Sequence, residues 1–220
     1  MQITENVWQV AGPELTAPGD AAAYLIRMGN AAALIDAGCG DATRTFIENI
    51  GRVLPPTVPV THLLLTHCHL DHSGGAAALR DLLGCKIAAH RRDAVFLEAG
   101  DNTATAADWY GRRIQPFRID LVFDGPKESI QVGDGEIMAY HCPGHSPGSM
   151  VYTADIDGHK ILFGQDIHGP LHPILHSDRS DYLQSLQFSM DLEADILCEG
   201  HLGIYRGREE VRKFIRSYIP

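Results

Sequence analysis

Thr66-His-Cys-His-Leu-Asp-His72 sets three imidazoles and a carboxylate within six residues, directly after the apolar run Val60-Thr-His-Leu-Leu-Leu-Thr66. Borderline divalent metals such as Zn²⁺ favour imidazole nitrogen and carboxylate oxygen as ligands. Four such groups (His67, His69, Asp71 and His72) at the mouth of a buried strand predict a metal site. Alternate residues of an extended segment point the same way. On that reading His67, His69 and Asp71 converge, while His72 turns toward a second site.

Working outward, three further residues of the same chemistry follow short apolar runs. His145 lies in His141-Cys-Pro-Gly-His-Ser-Pro-Gly-Ser149, Asp166 follows Ile161-Leu-Phe163, and His201 follows Ile196-Leu-Cys-Glu-Gly200. Each stands just past a predicted strand, where a loop can present it to a common cleft. Together these ligands can be divided between two ions, with a carboxylate bridging them. A lone histidine is usually a surface or satisfied core residue. A clustered motif with ordered partners is not. His62, His90, His159, His172 and His176 keep the ordinary reading, and His141 and His168 are read as cleft edge or support.

These residues, in this order, resemble the metallo-β-lactamase-fold hydrolases and, within them, the glyoxalase II-like branch. The resemblance runs from about residue 3 to the C-terminus. It implies an αββα sandwich of α+β class with two divalent metal ions, zinc foremost and iron or manganese also compatible. It further implies that His67, His69 and His145 hold the first ion, that Asp71, His72 and His201 hold the second, and that Asp166 bridges. Asp71 and Asp166 are then the catalytic carboxylates, with Asp71 also orienting the nucleophile. The activity implied is hydrolysis of a small thioester, lactone or related ester. An iron-dependent persulfide dioxygenase-like activity and a non-enzymatic metal-binding role remain alternatives.

Composition sets the outer bounds. At 220 residues, 45% hydrophobic and 21% charged, the chain suits one globular domain spanning 1–220. No apolar run approaches the roughly 20 residues that a membrane span needs. The N-terminus has no basic region followed by an apolar stretch, so a cytoplasmic location is expected. Five cysteines, an odd number without dense spacing, argue against a disulfide framework. Cys68, Cys142 and Cys198, beside proposed ligands, read as small buried near-hydrophobes. A net charge of −10 opposes nucleic-acid binding. The expected partner is a small molecule, neither nucleic acid nor membrane, and a homodimer is left open.

Periodicity predicts strands at 3–10, 22–28, 31–36, 61–66 and 86–89, with a tight turn at Gly29-Asn30. A second series follows at about 119–123, 129–132, 136–141, 149–154, 160–163 and 195–198. Helices are expected at 41–53, 91–99, 180–190 and 207–217, and one opens near Ser73 as N-cap and stops at Gly84. The stretch 100–118 lacks clean periodicity; its Trp109, Tyr110 and Phe117 are candidate pocket walls or packing residues.

Overall fold

Alternation along the strands determines how the layers stack. In β3 (Ala23–Met28), Tyr24, Ile26 and Met28 join one apolar cluster, while Ala23 and Leu25 join another. In β4 (Ala31–Ile35), Ala33 and Ile35 face as Tyr24 does, and Ala32 and Leu34 face as Leu25 does. The same division recurs in β10 (Met150–Ile156), β11 (His159–Phe163) and β12 (Ile196–Cys198): Tyr152, Phe163 and Cys198 share a cluster with Tyr24, whereas Val151, Leu162 and Leu197 belong to a third. A strand buried on both faces must be covered on both. This computed structural model, which describes residues 1–164 and 166–220, therefore has two sheets packed face to face with helices outside each.

The first sheet has seven strands in chain order. It runs from β1 (Gln2–Thr4) and β2 (Val7–Ala11) through β3, β4, β5 (Val60–Leu64) and β6 (Lys86–His90) to β7 (Leu121–Phe123). From β4 to β7 the pairing is parallel. Its outer face is covered by α1 (Thr43–Val53), α3 (Ala76–Leu83) and α4 (Arg91–Ala99), through Phe46, Ile50, Leu79 and Leu97. The six-stranded second sheet orders β13 (Ile204–Arg206), β12, β11, β10, β9 (Gly135–His141) and β8 (Lys127–Val132). Tyr182, Leu186, Val211 and Ile215 of α5 (Arg179–Asp191) and α6 (Arg208–Arg216) cover it. Among the described residues no helix is long and apolar enough to cross a membrane.

Three sequence expectations are corrected. The first strand divides at Glu5-Asn6, where Asn6 donates its backbone N–H and side-chain amide to the Asp157 carboxylate at 2.7 and 2.6 Å. Helix begins at Leu70 rather than Ser73: α2 (Leu70–Ser73) precedes α3, whose N-terminus has no side-chain cap. The Ser73 hydroxyl instead donates back to the Cys68 and His69 carbonyls, both at 2.9 Å. β13 was not foreseen, because three half-exposed residues carry almost no periodic signal.

The two sheets are tied together beside β5. Met150 N donates to the Thr66 carbonyl at 2.7 Å, and the buried Tyr152 hydroxyl to the Leu65 carbonyl at 2.7 Å. These bonds bring the residues after β5 against the start of β10. The rim that results carries the chemistry.

Candidate metal centre

All the candidate ligands follow the ends of strands at this rim. His67 and His69 follow β5, His145 lies between β9 and β10, Asp166 follows β11, and His201 follows β12. Their ligand atoms form two groups, His67–His69–His145–Asp166 and Asp71–His72–His201, each within 4.8 Å internally. Only His201 is part-exposed. The expected extended alternation stops at His69. Asp71 and His72 lie on the single turn of α2, so Asp71 joins His72 and His201 instead of lining up with His67 and His69.

Asp166 faces both groups. Its Oδ2 lies 3.3 Å from His145 Nε2, while Oδ1 lies 3.0 Å from His72 Nε2 and 3.3 Å from His201 Nε2. Asp71 Oδ2 is 3.2 Å from His201 Nε2. Gly200 allows this crowding: a Cβ there would stand 2.8 Å from Asp166 Oδ1 and 2.9 Å from His72 Cε1.

The ring nitrogens test whether a metal fits. His67 Nε2, His69 Nε2 and His145 Nδ1 are buried and have no hydrogen-bond partner among the described residues. An unsatisfied buried polar atom costs about 1–3 kcal/mol, so each calls for something to bind, and one ligand atom from each of these three rings and from Asp166 lies within 4.8 Å of the others. Burial, reinforced by neighbouring imidazoles, pushes His67 well below its ordinary value and His69 down to about 3. They are therefore neutral at pH 7, the form that coordinates a cation. Burial would raise the Asp71 and Asp166 carboxyls, but adjacent imidazoles, His72 foremost, hold both below the usual carboxylate range. Neutral imidazoles and ionised carboxylates form a donor set that fits divalent metal.

On the second group the balance reverses. Burial opposes the charge on His72 and His201, yet the surrounding carboxylates outweigh it. His72 is raised well above its ordinary value, chiefly by Asp166 and Asp36, and His201 is raised to about 10 by hydrogen bonds to Asp166 and Asp71. Both imidazoles are thus pushed toward the protonated form, and their Nε2 atoms, 3.2 Å apart, form a hydrogen bond in which one nitrogen donates and the other accepts.

Three buried carboxylates that sequence reasoning did not single out hold the ligand loops. Asp36, just after β4, takes His72 Nδ1 at 2.7 Å and the Thr66 N–H and hydroxyl at 2.8 Å each. Asp93, in the first turn of α4, takes the Cys68 N–H, the Ser146 hydroxyl and the Gly148 N–H at 2.8, 2.6 and 2.6 Å. Glu199 takes the His201 and Leu202 N–H groups at 2.6 and 2.7 Å, and Ile167 N and His168 Nδ1 at 3.1 and 3.0 Å. The Asp-Ala-Gly ending of β4 was the one signal for Asp36; nothing local marked the other two.

The cleft above the centre has a volume of about 180 Å³. Trp109, Tyr110, Pro170 and Leu175 form its apolar wall, and among the described residues no Lys or Arg lines it. Tyr110 lines the cleft together with Asp71. Phe117 is buried in the core beneath α4, so its role is packing. A larger groove of about 450 Å³ lies by the turns around Gly29 and Asp157, at the other end of the strands, and contains none of the candidate ligands.

Residues 16–201 match the family model of the metallo-beta-lactamase superfamily. The chain belongs to that superfamily. The chicken (Gallus gallus) protein named acyl-coenzyme A thioesterase MBLAC2 is 31% identical over 226 residues, covering 89% of this chain and 77% of its own. A hydroxyacylglutathione hydrolase of Anaeromyxobacter dehalogenans is 30% identical over 128 residues, covering 58% of this chain and 40% of its own. In fold, the chain superposes on the Rm3 metallo-beta-lactamase with a TM-score of 0.78 at 18% identity, over 100% of this chain and 91% of that one. This superfamily member stands with its glyoxalase II- and thioesterase-like relatives. Its paired ligand groups make it a metal-dependent hydrolase with a dinuclear site.

Proposed function

We propose that this hydrolase cleaves thioesters of small acyl groups. His67, His69 and His145 are the ligands of one ion, Asp71, His72 and His201 those of the other, and Asp166 is shared. The observation that carries this reading is the two-sided contact of Asp166, one oxygen toward each group. Bound divalent ions lower the pKa of water from about 15.7 toward 7 and polarise a carbonyl.

The protein's own residues supply the rest. Asp71, on the cleft wall, accepts a hydrogen from the attacking water and so fixes the direction of its lone pair. Tyr110, which shares the cleft wall with Asp71, steadies its carboxylate. Trp109, Pro170 and Leu175 exclude bulk water from the acyl group. Thioesters are favoured over lactones because the relatives named for an activity, in chicken and in A. dehalogenans, are named for acyl-thioester chemistry. Zinc is the metal we assign, supported by an imidazole-rich ligand set. All five cysteines are buried, which suits a reducing cytoplasm, and residues 1–220 act as one domain.

The test is a panel of acyl-thioesters, lactones and persulfides assayed with the zinc-loaded protein before and after chelation. We expect thioester hydrolysis that chelation removes and zinc restores. Oxygen consumption with persulfide, or no turnover on any ester, would contradict the proposal.

A further inference from the structure

Asp93 lies outside both metal groups, yet every hydrogen bond it accepts comes from a ligand-bearing loop. Oδ2 receives Cys68 N–H, between His67 and His69, at 2.8 Å, and the hydroxyl of Ser146, next to His145, at 2.6 Å. Oδ1 receives Gly148 N–H at 2.6 Å. The carboxylate is 1% exposed and no Lys or Arg pairs with it among the described residues. Gly148 is needed for the approach, because a Cβ there would stand 2.5 Å from Asp93 N and 2.6 Å from its Oδ1.

The two loops come from different sheets: residues 67–69 leave β5 and residues 142–149 connect β9 to β10. Between them, His145 Nε2 and His69 Nδ1 stand only 2.9 Å apart. That contact is a hydrogen bond only while one of the two nitrogens carries a proton, so it cannot hold the gap once both face a cation. Beyond the backbone tie of Met150 N to Thr66, the bonds to Asp93 join the two loops directly, assisted by Ser146 Oγ and Ser149 Oγ at 2.8 Å. A buried carboxylate accepting three short, charge-assisted bonds is a strong constraint.

We propose that Asp93 is a positioning residue that sets the distance between the His67/His69 loop and the His145 loop, and thereby the affinity of one metal ion of the pair. This rests on the ligand division given under Proposed function. It acts through Cys68 N, Ser146 Oγ and Gly148 N and touches neither substrate nor ion. Outer hydrogen-bond partners of this kind typically change metal affinity by about 10–100-fold.

The experiment is chelator competition on the zinc-loaded full chain, paired with visible spectra of the cobalt-substituted protein, for wild type, Asp93→Asn and Ser146→Ala. Asn keeps the shape but turns an N–H₂ group toward a backbone N–H donor. We expect wild type to hold two ions and Asp93→Asn to lose affinity for one of them by about 10–100-fold. The cobalt band of that ion shifts, and excess zinc restores turnover, which it would not do for a simple folding defect. Ser146→Ala, which removes one bond of three, shifts the same ion by a smaller factor and keeps the proposal testable if Asp93→Asn does not fold. Unchanged affinities for both ions in a folded variant would overturn the inference. A wild type holding fewer than two ions would overturn instead the site reading beneath it.

Discussion

Asp166 divides its two oxygens between the histidines of different groups, so amidation at this one position disturbs both. Asp166→Asn replaces one acceptor by N–H₂ facing imidazole nitrogens, and His69→Ala removes a ligand outright. Each is expected to lower kcat/KM on a thioester by more than about 100-fold, beyond the usual effect of a supporting residue. Near-native rates with full metal loading would contradict the assignment. Asp36→Asn supplies the comparison: it leaves every ligand present but weakens the hold on His72 Nδ1. A loss of about 10–100-fold in affinity for one ion is expected, read by zinc titration against a fluorescent chelator. The candidate ligands that the fold gathers stood out in the sequence because four lie together and the other three each follow an apolar run. Asp36, Asp93 and Glu199 were not, because an acid's role depends on its partners. Those of Asp93 lie 25, 53 and 55 residues away in the chain, and only folding brings them near.

Of the helices that cover the second sheet, α5 is bonded directly to the rim. The Asp178 side chain caps it by accepting Asp181 N–H at 2.9 Å, while Asp178 N donates to the Gly144 carbonyl in the His145 loop at 2.8 Å. Further along, the Tyr182 hydroxyl bonds the Ile167 carbonyl, next to Asp166. Asp178→Ala removes the cap but keeps the backbone bond, and is expected to destabilise the fold by about 1 kcal/mol in urea unfolding. A change below a few tenths would show that the cap contributes nothing. Most strands and helices were readable from period and turn residues, the β3–β4 hairpin at Gly29-Asn30 among them. The breaks were not. The interruption at Asn6 is held by Asp157, 151 residues away, and the early helix start at Leu70 is held by Ser73 bonding back into the ligand loop. Tertiary bonds decided both.

For the molecule as a whole, the two metal groups differ in proton content. His67 and His69 are pushed toward the neutral form, whereas His72 and His201 are pushed toward the protonated one. The sign follows from linkage. His201, raised from 6.5 to about 10, stabilises the metal-free fold fully below pH 6.5, and that contribution fades as pH rises through about 10. His69, lowered to about 3, acts oppositely and costs stability as pH falls below 6.5. A metal must displace the proton that this pair holds, so apparent affinity rises with pH above neutrality. Calorimetric zinc titrations at pH 7.5 in buffers of different ionisation enthalpy should show proton release. Heats independent of buffer would contradict this protonation pattern.

Anomalous diffraction from zinc-soaked crystals, collected on both sides of the zinc edge, tests the pairing of the ligands most directly. Two peaks per chain are predicted, one among His67, His69 and His145 and one among Asp71, His72 and His201, with Asp166 in contact with both. A single peak at saturating zinc, or peaks away from these side chains, would contradict the account.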